Sequence, residues 1–223
     1  MKVTALLPMK GVSERVPKKN LKLFNSKPLY HKVMSTLIDS KYISEIVVNT
    51  DCSEIKADII SNFNNIIIHD RDKSIIGNYV SMNKIIEWDI SRMESDIFIQ
   101  THSTNPLLTT ATVDSAISKF LSIQNKFDSL FTVSKIQKRF YDLKCKPFNH
   151  DPKMLTTQHL EPLFEENSCL YVFTKKSFLE NSNRIGKSPF MFETPKIESV
   201  DIDSMEDFKV AELIYKYKIY EKF

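Results

Sequence analysis

The 223-residue sequence predicts an α/β protein: a three-layer α/β/α domain on a mainly parallel sheet. Three observations lead there. Short apolar runs alternate with segments of helical spacing from the N-terminus onward, the pattern of right-handed βαβ crossovers. The composition, 42% apolar and 26% charged, is that of a chain able to bury a substantial core. No internal repeat, low-complexity tract or linker divides the chain, so residues 1–223 read as a single domain.

The elements follow in order. Val3–Leu7 is a short buried strand, and Pro28–Ile38 is a helix with Leu29, Val33, Met34, Leu37 and Ile38 on one stripe. Glu45–Asn49 reads as a strand, Ser53–Asn62 as a helix and Ile66–His69 as a strand. A helix is expected over Asn78–Ile90 and a strand over Asp96–Thr101. Ala111–Ile123 carries the clearest amphipathic stripe, through Val113, Ala116, Ile117, Phe120 and Leu121. Leu130–Val133, Ser168–Phe173 and Ile197–Val200 are further strands. The last helix opens at Ser204-Met205-Glu206-Asp207, a serine N-cap with an acid at N3. Residues 135–167 break the rhythm and read as an excursion from the sheet.

Composition excludes several functions. Thirty-one Lys and Arg against 28 Asp and Glu leave +3, too little for a protein that coats nucleic acid. No apolar run approaches the roughly 18 residues of a membrane span, so a soluble, cytoplasmic protein is expected. Three scattered cysteines support neither a disulfide framework nor a zinc site. Only three glycines occur, so each is expected where the backbone needs one.

In such sheets ligands bind at the carboxyl ends of the strands. The loop after the first strand, Leu7-Pro8-Met9-Lys10-Gly11-Val12-Ser13-Glu14-Arg15-Val16-Pro17-Lys18-Lys19-Asn20, lies there. Its cations and backbone N–H groups suit a triphosphate, although neither a P-loop nor a GxGxxG spacing is present. A solvated basic loop is the alternative. Asp201 and Asp203, at i and i+2 after a strand, point the same way and can share a hard cation such as Mg²⁺. The alternative is an acid that favours the N-terminus of the last helix.

These residues resemble the acylneuraminate cytidylyltransferase (CMP-sialic acid synthetase) family. The first loop is similar to its P-A-R-x-G-S-K-x-I-P-x-K-N signature, and Asp201-Ile202-Asp203 with Asp207 and Ala211-Glu212 to its closing D-I-D…D…A-E. Between them Lys27-Pro28-Leu29 and Asn49-Thr50-Asp51 fit. Arg71 with Asn78 and Ser81 resembles R-P-x-x-L-A-x-D-x-x-S, and Asn167 with Tyr171 resembles N-G-x-x-Y. The resemblance implies a Rossmann-like nucleotide-sugar transferase fold whose excursion forms a homodimer, and CMP transfer from CTP to an acidic sugar. It implies that Lys10, Ser13 and Lys19 hold the triphosphate, with Gly11 and Arg15 in the same loop and Lys19 steadying the pyrophosphate. Asn20, Arg71, Asn78 and Ser81 would lie near the nucleotide, and Asp201 and Asp203 would hold Mg²⁺. The acceptor would meet His102, Gln158, Asn167 and Tyr171.

The sequence also departs from the family. Lys10 replaces an arginine, keeping the charge without the fork. Glu14 replaces a lysine, and Ser168 a glycine. Counting back from Pro106 sets His102 at the family's glutamine and Leu108 at its arginine. Thr157 stands where an arginine often meets the sugar carboxylate. These changes fall in the acceptor half, so an acidic acceptor other than N-acetylneuraminic acid is expected.

Overall fold

The computed structural model describes residues 1–77, 79–153, 156–217 and 219. Nine strands and six α-helices are defined among them. In chain order they are β1 (Val3–Leu6), β2 (Leu23–Phe24), β3 (Lys27–Pro28), α1 (Tyr30–Ile38), β4 (Glu45–Thr50), α2 (Ser53–Asn62), β5 (Ile66–Asp70) and α3 (Met82–Ile90). Then follow β6 (Ile97–Thr101), α4 (Thr110–Ile123), β7 (Ser129–Ile136), β8 (Leu163–Thr174), α5 (Lys175–Asn181), β9 (Pro189–Glu193) and α6 (Met205–Lys216). Seven strands form one sheet in the order β5-β4-β1-β6-β8-β7-β9, and β2 pairs with β3 as a separate hairpin. The first four strands of that order are mutually parallel, and β7 and β9 are parallel; β8 alone runs against its neighbours.

Strand alternation divides the core between two helical layers. Val3, Ala5 and Leu7, with Ile46, Val48, Ile97 and Ile99, pack against apolar residues of α1, α2 and α4. Leu6, Val47 and Phe98 turn to the opposite face and meet Ile86 and Ile90 of α3 and Phe178 of α5. Because both faces are covered, these strands read as continuous apolar runs in the sequence. A third cluster joins Phe24 and Leu29 to Leu107, Ile202, Phe208 and Ala211, which docks α6 beside the carboxyl ends of the strands.

Most expected elements lie within a residue or two of their predicted bounds. The helix expected from Asn78 begins at Met82, where the Ser81 hydroxyl accepts from the Lys84 N–H and caps it; Asn78 itself lies outside the described residues. Ile197–Val200 is not a strand. It is a turn closed by the Glu198 N–H donating to Pro195 C=O at 2.9 Å. Glu198 is buried, and its carboxylate accepts from Thr109 N–H, Thr109 Oγ1 and Thr112 Oγ1 at the start of α4. Three bonds to a helix N-terminus outweigh a weak strand preference. The strand that the sheet uses instead is β9, whose leading Pro189 suits an edge position.

The excursion is shorter than residues 135–167. β7 runs to Ile136 and β8 starts at Leu163; the described residues between them hold a 3₁₀ turn at Thr157–His159 and an isolated bridge between Tyr141 and Pro147. Tyr141, Leu143 and Phe148 are exposed on it. The β7–β8 register shifts between Phe131 and Val133, and opposite that shift Ser168 adopts φ 57°. This is the position at which the resembling motif carries glycine, and the left-handed backbone gives the reason.

Candidate active site

A cleft of about 250 Å³ opens at the carboxyl ends of the parallel strands. The first loop forms one wall. Met9 N–H donates to Asn49 C=O and Gly11 N–H to Asp51 Oδ1, both at 2.9 Å, tying the loop to the end of β4. Asn20 completes the stitching: its Nδ2 donates to Lys10 C=O at 2.9 Å, and its Oδ1 accepts from Ser103 Oγ at 2.6 Å. The two ends of the loop are therefore built into the fold at the edge of the cleft.

Lys10, Ser13, Lys19, Asn20, Arg71 and His102 all line this cleft. Arg71 is rigidly held, with Nε donating to Asn49 Oδ1 at 2.8 Å and Nη2 to Met9 and Asn49 carbonyls at 3.1 and 2.9 Å. Asn49 is itself fixed by donating to the buried carboxylate of Asp89 at 2.7 Å. Lys19 is nearly buried, donates to Ile202 C=O and lies 3.9 Å from Asp203 Oδ1. Burial holds its pKa below the usual lysine value against the pull of Asp203 and Asp201, and the neighbouring Arg15 and Lys10 add to the lowering. A half-desolvated cation beside two others is a site suited to an anion.

Other expected residues sit apart from the cleft. Gly11 gives its N–H to Asp51, and a Cβ there would stand 2.8 Å from Cys52 Cβ; its smallness serves packing against Cys52. Arg15 pairs with Asp203 at 2.7 Å on the rim. Ser81 is the cap of α3. Gln158 is exposed in the 3₁₀ turn, with its carbonyl taken by Gln137. Asn167 donates to Ser134, Thr194 and Ser199 beside a second cavity of about 400 Å³ that Lys135, Lys138 and Lys196 also line.

Asp201 and Asp203 lie in a loop, not at a strand end, yet Ile202 between them is fully buried and both carboxylates stay on one side. Helix capping falls to Ser204 and Asp207: the Asp207 carboxylate accepts from Ser204 N–H at 2.7 Å and Asp203 N–H at 3.1 Å, which leaves the Asp203 carboxylate to Arg15. The protein packed around Asp201, and secondarily the charge of Asp203, raise its pKa above the usual carboxylate value against a hydrogen bond from Thr104. Two carboxylates on the rim of a basic cleft match the donor set of a hard divalent cation shared with phosphate oxygens. Among the described residues no group of three His, Cys, Asp or Glu could hold a metal by itself.

Behind His102, and outside the cleft lining, stands a polar cluster that joins Tyr171 to two residues no sequence motif singles out, Gln100 and Arg184. Gln100 and Tyr171 are register partners across β6 and β8. Arg184 reaches both: Nη1 donates to Gln100 Oε1 at 2.6 Å and Nη2 to the Tyr171 hydroxyl at 3.1 Å, with the guanidinium 3.8 Å above the Tyr171 ring. The Tyr171 hydroxyl donates to Glu166, and burial raises its pKa to about 12. Gln100 Nε2 lies 3.2 Å from His102 Nε2. Burial, reinforced by the charge of Arg184, lowers the His102 pKa to about 4 and keeps the ring neutral. The one sequence signal for Arg184 is the scarcity of glycine, because Gly186 holds its loop. A Cβ on Gly186 would lie 2.3 Å from Asp128 Oδ1, while Asp128 accepts from the N–H groups of Lys187 and Ser188.

Comparison with known proteins fits this geometry. The model of the family described as "Cytidylyltransferase" matches residues 4–222. The pseudaminic acid cytidylyltransferase of Campylobacter jejuni is 27% identical, with 97% of each chain covered. The N-acylneuraminate cytidylyltransferase of Streptococcus agalactiae is 22% identical over all of this chain and 56% of that protein. The solved structure of a CMP:2-keto-3-deoxy-manno-octonic acid synthetase complexed with CTP superposes with a TM-score of 0.73 at 13% identity, covering 98% of this chain and all of that one. With a basic cleft at the strand ends and a family match over nearly its whole length, the chain belongs to the cytidylyltransferase family and is a nucleotidyltransferase.

Proposed function

We propose that the protein transfers CMP from CTP to a hydroxyl of an acidic, nonulosonic-type 2-keto sugar and releases pyrophosphate. The observation that carries this reading is the convergence of Lys10, Lys19, Asn20 and Arg71 on one cleft with Asp201 and Asp203 at its rim. The acceptor oxygen attacks the α-phosphorus, and the bond from that phosphorus to the oxygen bridging the β-phosphate breaks. Lys10 and Lys19 neutralise the triphosphate and stay on the departing pyrophosphate, so catalysis is mostly positioning and charge neutralisation. Arg71, locked by Asn49 and Met9, fixes the nucleotide end of the cleft. Asp201 and Asp203 would hold Mg²⁺, whose charge would add to the same neutralisation.

The acceptor half favours a sugar other than N-acetylneuraminic acid. Thr157 brings no cation to its place in the exposed 3₁₀ turn, and the full-length relative named for pseudaminic acid is more similar than those named for N-acylneuraminate cited above. The protein works as a homodimer through the 137–162 excursion, whose exposed Tyr141, Leu143 and Phe148 suit a covered surface, and CTP supply places it in the cytoplasm. The test is pyrophosphate release with CTP, ATP, GTP and UTP against pseudaminic acid, N-acetylneuraminic acid and 2-keto-3-deoxy-manno-octonic acid. CTP with pseudaminic acid is expected to be fastest. Equal rates with all four nucleotides, or no turnover of any 2-keto acid, would overturn the reading.

A further inference from the structure

We infer that Arg184 is a positioning residue that sets the tautomer of His102 through Gln100, so that the ring meets the cleft as a hydrogen-bond donor. A guanidinium has only donors, so the atom of Gln100 at 2.6 Å from Arg184 Nη1 is the carbonyl oxygen. That fixes the amide: its Nε2 faces the Thr101 carbonyl at 2.8 Å and His102 Nε2 at 3.2 Å. An amide nitrogen donates, so His102 Nε2 accepts, and a neutral ring then carries its proton on Nδ1. His102 lines the cleft, whereas Gln100 is fully buried behind it. The ring's one accepting nitrogen is used inside the protein, which makes His102 a donor to bound sugar oxygens and not the base for the acceptor proton.

Arg184 is built to hold this arrangement. Its guanidinium stacks on Tyr171, its backbone N–H lies 3.5 Å from Asn83 Oδ1, and Gly186 N–H donates to Ser129 Oγ at 2.8 Å two residues on. Glu166, 4.0 Å from Nη2, is the one carboxylate in ion-pair range among the described residues.

The tautomer has a spectroscopic readout that does not depend on turnover, and its role a kinetic one that rests on the cytidylyl-transfer reading. Long-range ¹H–¹⁵N correlation of the histidine rings, assigned with His102→Gln, is expected to show the Nδ1–H tautomer for His102 in the wild type. Arg184→Ala frees the amide and is expected to give a mixture, while Arg184→Lys, which still donates to Gln100 Oε1, retains the wild-type signal. Gln100→Glu, which can only accept from the ring, is expected to drive His102 to Nε2–H and covers the case in which Arg184→Ala does not fold. In pyrophosphate-release assays Arg184→Ala and Gln100→Glu are expected to raise the KM of the acceptor roughly tenfold, the worth of one lost hydrogen bond, with CTP affinity kept within about twofold. A wild-type Nε2–H ring, an Arg184→Ala spectrum identical to wild type, or an unchanged acceptor KM beside a shifted tautomer each overturns the assignment. Absence of any wild-type turnover with the tautomer intact overturns the kinetic role together with the transfer reading.

Discussion

The loop that lines the cleft and the relay behind His102 are built by different means. The cleft loop is one contiguous segment, residues 8–20, fastened by main-chain N–H groups to Asn49 and Asp51 and by one asparagine that spans Lys10 and Ser103. Behind His102, which lines the cleft, stands a side-chain relay drawn from separate parts of the chain: Gln100 on β6, Tyr171 on β8, and Arg184 in the loop before β9. Backbone stitching tolerates change in the side chains that it carries, which is why Lys10 can stand for an arginine. A relay of buried polar groups does not, because each member leaves its neighbour unsatisfied. The loop can therefore accept single side-chain changes, whereas the relay changes only as a set.

The largest expected effect contrasts two acids four residues apart. Asp203→Asn removes a rim carboxylate and is expected to lower kcat by about 10²–10³-fold, with unfolding free energy within ~0.5 kcal/mol of wild type. Asp207→Ala breaks the capping box and is expected to cost about 1 kcal/mol of stability, with kcat nearly kept. Denaturant unfolding and steady-state rates on both variants decide it; loss of stability without loss of rate in Asp203→Asn would return that residue to a helix-end role.

The relay makes a pH prediction. Folded His102 has a pKa of about 4, below its value of 6.5 in an unfolded chain. Between those values the unfolded state binds a proton that the native state refuses, so stability present above pH 6.5 is lost as pH falls toward 4. The ring is partly exposed, so the loss is on the order of 2 kcal/mol. Chemical denaturation of wild type and His102→Gln at pH 7 and pH 4.5 should show the larger decline in the wild type; parallel declines would mean that the ring is protonated in the native protein.

The smallest expected effect sharpens the comparison at the bulge. Ser168 holds φ 57° beside the relay, where a non-glycine residue is strained by roughly 1–2 kcal/mol. Its Oγ lies 3.1 Å from the Tyr171 hydroxyl and offsets part of that. Ser168→Gly is therefore expected to stabilise the protein by about 1 kcal/mol or less by calorimetry, with CTP affinity unchanged. A destabilised variant would show that the Tyr171 contact outweighs the backbone strain.

Much of the fold is legible in the sequence. Apolar runs at the right spacing locate the parallel strands β1, β4, β5 and β6, because strands covered on both faces leave continuous signals, whereas the two-residue strands β2 and β3 leave none. The Ser204–Asp207 capping box and the first loop are equally clear. Ile197–Val200 misleads because its apolar ends suggest a strand, while the Glu198 carboxylate between them finds its partners at the start of α4, far away in sequence. β9 escapes notice because Pro189 and the short Pro189–Glu193 run carry a weak strand pattern.

The sequence by itself determined the layered sheet, the basic loop at its strand ends and the Ser204–Asp207 cap of the last helix. Those features depend on short-range geometry: periodicity, capping and the direction of successive side chains. Only the tertiary structure decided that Asp203 meets Arg15, that Gly11 spends its N–H on Asp51, and that Arg184 joins Gln100 to Tyr171. Partners of buried polar groups are chosen by which strands become neighbours and in what register, and the Gln100–Tyr171 pairing exists only because β8 enters the sheet antiparallel beside β6.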